Sequence, residues 1–173
     1  MKVSARIFVV LAGLCLAAST GVVAQTAIYG TFTAGNLSVG DKDWIYGGQV
    51  GLYHDFRPIP VVHIGFDARA QMLDQGDTKL ISGLVGPRVA IKPWGIPIRP
   101  YVEGLFGVGH IEYTAQQEET SATEFEYLFL GGLDLTILPH FDWRVAEFSY
   151  GGVSGLSDSI HPKTASTGVV IRF

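Results

Sequence analysis

The residues of this chain best suited to chemistry are charged side chains that recur at every second position of alternating segments. In one segment Asp67 and Arg69 share a polar face, and Ile64 and Phe66 lie on the opposite, apolar face. Charged residues on the polar faces of such segments are Asp67, Arg69, Arg88, Glu103, Asp134, Arg144 and Arg172. Buried charges are tolerated when they are paired and hydrogen-bonded, so these residues predict a salt-bridged network in the interior. An ion path or a switchable gate is the alternative role for the same charges.

Other reactive side chains do not combine into a catalytic or metal-binding pattern. Hydrolysis by a nucleophile needs a base and an orienting carboxylate within hydrogen-bond reach, but Ser149 follows Glu147 and Phe148 rather than a histidine. His161 stands beside a proline and has no obvious partner, and no His-x-x-x-His spacing occurs. We therefore expect no catalytic residue, no metal site and no cofactor.

Composition excludes several classes of protein. The chain has 173 residues, 47% of them hydrophobic and only 16% charged, with 22 glycines and a net charge of −4. This apolar content is too high for a disordered chain. A single cysteine excludes a disulfide scaffold, and an acidic balance offers no cationic surface for nucleic acid.

The N-terminus has the layout of a secretory signal peptide. Lys2 and Arg6 precede an uncharged, mostly apolar run over 7–18, which is too short to span a bilayer as a helix. Small residues at Val22–Ala24 then predict cleavage after residue 24. We expect residues 1–24 to be a signal peptide and residues 25–173 to form one domain.

A lipid anchor at Cys15 is the alternative for this leader. Lipoprotein cleavage boxes resemble Leu-Ala-Gly-Cys, whereas Leu14 precedes Cys15 here, which disfavours the anchor.

The rest of the chain reads as β-strands, because apolar and polar residues alternate in segments of about ten residues. The predicted strands are 26–36, 44–57, 61–72, 79–92, 99–113, 125–137, 142–150 and 165–173. Short proline-rich connections alternate with longer polar ones such as 73–78 and 114–124, as in a meander that crosses a membrane. A soluble β-sandwich is the alternative, since its strands alternate too.

Aromatic residues near the strand ends favour the membrane barrel over the sandwich. Amphipathic rings prefer the boundary between bilayer and water, so two aromatic belts are expected of such a barrel. The residues assigned to these belts are Trp44, Trp94, Tyr101, Tyr113, Tyr127, Trp143 and Tyr150.

The C-terminal strand and three internal motifs resemble a known family. Gly168, Ile171 and a terminal Phe173 on an alternating strand look like the signal read by the barrel-assembly machinery. The motifs are Gly86-Pro87-Arg88, the segment from Arg99 to His110, and Glu147-Phe148-Ser149-Tyr150 followed by His161-Pro162. Together they resemble the OmpA-like family of outer-membrane β-barrels. This resemblance implies an all-β, eight-stranded antiparallel up-and-down transmembrane barrel in the outer membrane, with both termini in the periplasm.

A structural or surface-interaction role without catalysis is the function that we expect. The alternatives are a lipid A-modifying enzyme and a narrow channel for small solutes. An eight-stranded barrel is just wide enough to be filled by side chains, which disfavours the channel. Expected partners are outer-membrane lipid, lipopolysaccharide and the assembly machinery, with no nucleic acid, and the barrel is expected to be monomeric. Acidic residues at Glu118, Glu119 and Glu124 predict a solvated loop or, alternatively, a receptor or cation site.

Two positions predict local irregularity. Pro87 lies in mid-strand, where it removes a ladder hydrogen bond, so we expect a bulge there. In the seventh strand, Arg144 and Glu147 can face inward together only if a bulge separates them.

Overall fold

The computed structural model describes residues 24–36, 44–75, 78–115, 118–154 and 161–173. The predicted signal peptide lies outside this part of the chain, apart from Ala24, which begins the first strand. The strands are β1 (Ala24–Asn36), β2 (Ile45–Phe56), β3 (Val62–Gln75), β4 (Thr78–Ile91), β5 (Ile98–Ala115), β6 (Glu118–Leu138), β7 (Phe141–Ser154) and β8 (Lys163–Arg172).

The eight strands close into a barrel in sequence order, and every neighbouring pair is antiparallel. Closure is made by β1 and β8, which pair from Ala27 opposite Arg172 to Asn36 opposite Lys163. A closed ladder leaves no free sheet edge, whereas a sandwich has edges. The predicted fold class is therefore confirmed, and the β-sandwich alternative is excluded. No helix in the described ranges is both long and apolar enough to cross a membrane.

The barrel has two distinct ends. One end, called the turn end below, carries the connections 57–61, 92–97 and 139–140, together with Ala24 and Phe173. The opposite end, called the loop end, carries the other four connections between strands.

Alternation along each strand separates an apolar exterior from a polar interior. On β3, Ile64 and Phe66 point outward with 48% and 58% of their surface exposed, while Asp67 and Arg69 are buried. Because successive strand residues point to opposite faces, the same division repeats around the barrel.

Two connections at the loop end differ from the sequence prediction. Polar loops were expected over 73–78 and 114–124, but β3 continues to Gln75 and β5 continues to Ala115, which pairs with Glu118. A polar segment can extend a strand because the ladder is held by backbone hydrogen bonds, whichever side chains it carries. Glu118 and Glu124 accordingly lie in β6 rather than in a loop.

The bulge predicted at Pro87 is wrong. Pairing between β4 and β5 is interrupted between Val85–Phe106 and Arg88–Glu103, but the register is the same on both sides. A Cβ on Gly86 would lie 2.0 Å from the carbonyl oxygen of Gly104, so the neighbouring backbone fills the space of a side chain.

The seventh strand contains the irregularity that its charges require. The register between β7 and β8 shifts between Arg144 and Glu147, and both side chains are buried in the interior. A second shift, in the pairing of β7 with β6, lies next to Asp134.

Candidate functional site

A closed ring of ion pairs fills the middle of the barrel. It consists of three arginines that alternate with three carboxylates, and neighbouring strands contribute its members. In order around the ring, they are Arg69, Glu103, Arg88, Asp134, Arg144 and Glu147. Their side chains are at most 1% exposed, so no water-sized channel touches any of them.

Arg69 on β3 makes the most contacts in the ring. Its Nη2 lies 2.5 Å from Oε2 of Glu103, and its Nη1 lies 2.8 Å from Oε1 of Glu147. Outside the ring, Nε donates to Asp67 at 3.1 Å and Nη1 donates to Oε1 of Gln49 at 3.0 Å. All three nitrogens of the guanidinium therefore have acceptors, as a buried arginine requires.

Arg88 and Arg144 share Asp134. Arg88 lies 3.4 Å from Oδ2 of this carboxylate and donates through Nη1 to Glu103. Arg144 lies 3.0 Å from Oδ1 of Asp134, and its Nη1 lies 2.9 Å from Oε2 of Glu147. Each carboxylate thus bridges two guanidinium groups, and each guanidinium bridges two carboxylates.

Three interior tyrosines stack against the arginines of the ring. Arg144 lies between Tyr29 and Tyr101, at 4.3 and 4.7 Å from the two ring centroids. Arg88 lies between Tyr53 and Tyr101, at 4.1 and 4.0 Å. A cation over the face of an aromatic ring is attracted by the ring quadrupole, so these tyrosines add to the stabilisation of the buried arginines.

The assignment of Tyr101 to an aromatic belt is wrong. Tyr101 is 3% exposed and points into the barrel, where its hydroxyl donates to Oε2 of Glu147 at 2.6 Å. It is directly opposite Gly132 on β6, and a Cβ there would lie 2.4 Å from the tyrosine hydroxyl. The missing side chain at Gly132 gives the aromatic ring room to lie inside the barrel.

The other belt residues with described side chains lie on the outer surface. Trp44, Trp94, Trp143 and Tyr150 are exposed, and Tyr127 is half-buried on the outward face of β6. The side chain of Tyr113 lies outside the described part of the chain, as do those of Glu118 and Glu119, whereas Glu124 is half-buried. In the C-terminal motif Ile171 and Phe173 point outward, and Gly168 packs against the backbone of β1.

Two predicted network residues are not members of the ring: Asp67, which contacts it through Arg69, and Arg172, which stands apart from it. Arg172 is buried at the turn end and lies 2.7 Å from Oδ1 of Asp142. Arg99 is buried at the same end and donates through Nη2 to Oε1 of Gln25 at 2.8 Å. Burial and the nearby charges of Arg99 and Arg172 lower the pKa of Lys92, which follows β4 in the adjoining turn.

Several interior residues were absent from the predicted network. The carboxylates are Asp55, Glu126, Asp142 and Glu147; the remaining residues are Gln49, Arg99 and the three tyrosines. Alternation along their strands places Asp55 and Arg99 on the inward face, so the sequence alone could have identified both as interior residues. Glu147 was expected to face inward together with Arg144 only if a bulge separated them, and the structure contains that bulge.

Residues that were considered for catalysis are held in other contacts. Ser149 faces the interior and its hydroxyl lies 2.6 Å from that of Thr164. His161 stacks on Tyr150 at the loop end, and its Nδ1 lies 3.3 Å from the carbonyl oxygen of Gly151. Across the described ranges, no cluster of three or more His, Cys, Asp or Glu could hold a metal ion.

Comparison with known proteins supports the fold and no more than the fold. No protein-family model matches the chain, and no curated protein matches its sequence. Among solved structures, Neisserial surface protein A is 16% identical with a TM-score of 0.61, and the match covers 88% of this chain and 99% of that one. The N-terminal β-barrel domain of Pseudomonas aeruginosa OprF is 17% identical with a TM-score of 0.58, covering 86% and 97%. The attachment invasion locus protein of Yersinia pestis is 16% identical with a TM-score of 0.55, covering 87% and 97%. The chain therefore has the fold of these eight-stranded outer-membrane barrels.

Proposed function

We propose that this protein is an integral outer-membrane barrel with a filled polar lumen, and that it has a structural or surface-interaction role without catalysis. The observation that carries the proposal is the inverted polarity of the molecule, with ion pairs at its centre and apolar side chains on its surface. Membership of the OmpA-like family, an N-terminal signal peptide and insertion by the barrel-assembly machinery stay predictions that agree with this proposal.

The exposed apolar surface supports hydrocarbon as its natural surroundings. Val50, Phe66, Val102 and Phe148 are each more than 55% exposed, although they come from four different strands. Contiguous apolar patches larger than a few hundred Å² are rare on soluble monomers. In a bilayer this apolar surface is not exposed to water, because lipid chains cover the outward faces. The closed ladder meanwhile pairs the backbone hydrogen-bonding groups of the strands with one another.

The filled interior favours a structural barrel over a channel. A pore past the ring would expose at least one of its six side chains to water, and none is more than 1% exposed. Moving one member aside would leave its partners as unpaired buried charges, which is strongly unfavourable. The same cost disfavours use of the ring as a gate.

The position of Ser149 supports the absence of hydrolysis. Its hydroxyl points into the lumen, away from the lipid that a lipid A-modifying enzyme would attack. Within the described residues, neither a histidine nor a carboxylate is hydrogen-bonded to it. Mass spectrometry of lipid A from strains with and without the gene tests this directly, and we expect identical spectra.

Depth-dependent quenching of tryptophan fluorescence tests the membrane placement. The protein would be refolded into vesicles whose lipids carry bromine atoms on their acyl chains, with Trp44 and Trp94 replaced by phenylalanine. Trp143 is 43% exposed on the outer face of β7, so we expect brominated lipid to quench its emission. Two results together would contradict the proposal. One is unchanged Trp143 emission in the brominated vesicles, and the other is a protein that stays monomeric in buffer without detergent.

A further inference from the structure

Positive side chains collect at the turn end of the barrel. Each lies within two residues of the end of a strand, so the antiparallel topology brings them to one mouth. The four cations are Arg57 after β2, Lys92 after β4, Arg99 near the start of β5 and Arg172 at the end of β8. They are close enough to influence one another, because Arg57, Arg99 and Arg172 all contribute to the electrostatic environment of Lys92.

Carboxylates at this mouth balance only part of its charge. Asp142 pairs with Arg172 at 2.7 Å, and Asp55 is shared with the central ring, since it lies 3.6 Å from Arg88. Among the described residues, no carboxylate lies within ion-pair distance of Arg99 or Lys92. The four cations at the mouth therefore outnumber its carboxylates, one of which also faces Arg88.

Several buried polar atoms at the mouth also lack hydrogen-bond partners within the described structure. His63, the second residue of β3, is 5% exposed, and neither of its ring nitrogens has a hydrogen-bond partner in the described structure. Nε of Arg99 and Nε of Arg172 are likewise unpartnered. The carboxylate oxygens of Asp55 and Asp142 also lack hydrogen-bond donors. Buried polar groups are normally satisfied, so the mouth has capacity for a further polar group, and its surplus of cations favours an anion.

A cavity beside the cluster provides access from solvent. Its volume is about 440 Å³, and it is lined by Arg57, Lys92 and the turn from Pro93 to Pro97. The backbone N–H of Lys92 donates to the carbonyl oxygen of Val61 at 2.8 Å, which holds this turn against the neighbouring one. The opening therefore leads to two of the four cations.

We infer that the turn end of the barrel is a binding site for a phosphate-bearing anion, held by Arg57, Lys92, Arg99 and His63. A phosphate monoester carries about two negative charges at neutral pH, so it would offset the surplus of cations at the mouth. Its tetrahedral oxygens suit arginine forks and several convergent donors better than a single planar carboxylate does. The phosphate belongs either to a soluble phosphoanion or to a lipid headgroup at the rim.

Calorimetric titration of the full barrel with pyrophosphate tests the site. The protein would be placed in nanodiscs of zwitterionic phosphatidylcholine, which carry no competing net charge. We expect Lys92→Gln and Arg57→Gln each to weaken binding by about tenfold, and Lys92→Arg to keep it. Lys163→Gln removes the same charge at the loop end and serves as the matched control, with unchanged affinity.

Two results would overturn the site. One is the absence of pyrophosphate binding to the wild-type barrel at about 10 mM, a concentration that detects even very weak complexes. The other is an equal loss of affinity in Lys163→Gln, which would show attraction by net charge alone. Lys163 is exposed and Lys92 is half-buried in a turn. A heat-dependent shift in gel migration reports that each variant is folded.

A second set of nanodiscs, doped with phosphatidic acid, identifies the source of the phosphate. Competition between this lipid and pyrophosphate, lost in Lys92→Gln, indicates a headgroup site. Unchanged pyrophosphate affinity in the doped discs indicates a site for a soluble phosphoanion. Either result supports the inference, and neither depends on whether the barrel is catalytic.

Discussion

At the scale of single residues, the stability of the centre depends on complete pairing. Glu147 accepts from Arg69, Arg144 and Tyr101, so it is the most connected carboxylate of the ring. Burying charge is costly, and the ring is tolerated because each charge has opposite neighbours and hydrogen bonds on several sides. Substitutions here are therefore expected to be much more damaging than the same substitutions at the rim.

Glu147→Gln removes one negative charge and leaves Arg69 and Arg144 short of a partner. We expect a loss of about 3–5 kcal/mol in the free energy of unfolding, measured by urea unfolding from lipid vesicles. Asp74→Asn is the matched control, because Asp74 is an exposed acid at the loop end and its replacement is expected to cost less than about 0.5 kcal/mol. Equal effects of the two substitutions would contradict a paired ring.

Tyr101→Phe separates the hydrogen bond of this tyrosine from its stacking. The variant keeps the aromatic ring between Arg88 and Arg144 but loses the hydroxyl that donates to Glu147. A hydrogen bond to a charged group contributes about 1.5–3 kcal/mol, and we expect a loss of that size. Tyr127→Phe on the outer face is the control, and the same unfolding assay should show it near wild type.

At the scale of strands, alternation decides which side chains meet lipid and which meet each other. The sequence was sufficient to place Asp67 and Arg69 inside, because six consecutive outward positions of β3, from Val62 to Met72, are apolar. On β7 the sequence left the register open, because Arg144 and Glu147 can both face inward only across a bulge, which the structure contains. A bulge depends on which partners the side chains find across the barrel, and this information is not contained in the strand itself.

Tyr101 shows a second limit of sequence analysis. Its position in β5 places it on the face of Glu103, whereas its aromatic character and nearness to a strand end favour a bilayer boundary. The two rules conflict, and the structure follows alternation because Gly132 leaves space for the ring. Local patterns therefore predicted most of the charged network, but the tyrosines that support it depend on glycines in neighbouring strands.

Val102→Lys tests whether hydrocarbon covers the outer faces. Val102 is 61% exposed on β5, next to the ring residue Glu103, and we expect lysine there to cost about 2–4 kcal/mol in a bilayer. Ile59→Lys is the matched control, because Ile59 is 56% exposed but lies in a turn. In water the two substitutions would have similar, small effects, so unfolding from vesicles distinguishes the two surroundings.

At the scale of the whole molecule, the closed barrel and the filled centre together predict an impermeable protein. Eight strands enclose a space that side chains fill, and the ring occupies it with no exposed member. The charged interior therefore stabilises the barrel itself. Other molecules can contact only its two ends and its lipid-facing surface.

Conductance across planar bilayers measures this impermeability. We expect the wild-type barrel to produce no stable current steps in molar salt, because ions would have to displace the paired side chains. Insertion would be checked by resistance of the barrel to added protease. Discrete, reproducible steps from the inserted wild-type protein would show that the lumen conducts and that the ring is a gate.

The ring draws its charged members from five consecutive strands, β3 to β7, while β1 contributes Tyr29 and β2 contributes Tyr53. Without the seventh strand, Arg69 and Asp134 would each lack one counter-ion, so closing the barrel over these charges is favourable only when all five strands are in place. A hairpin added out of order or one residue out of step would bring mismatched charges together. The same contacts that hold the finished protein therefore also favour its strand order and register over mispaired alternatives.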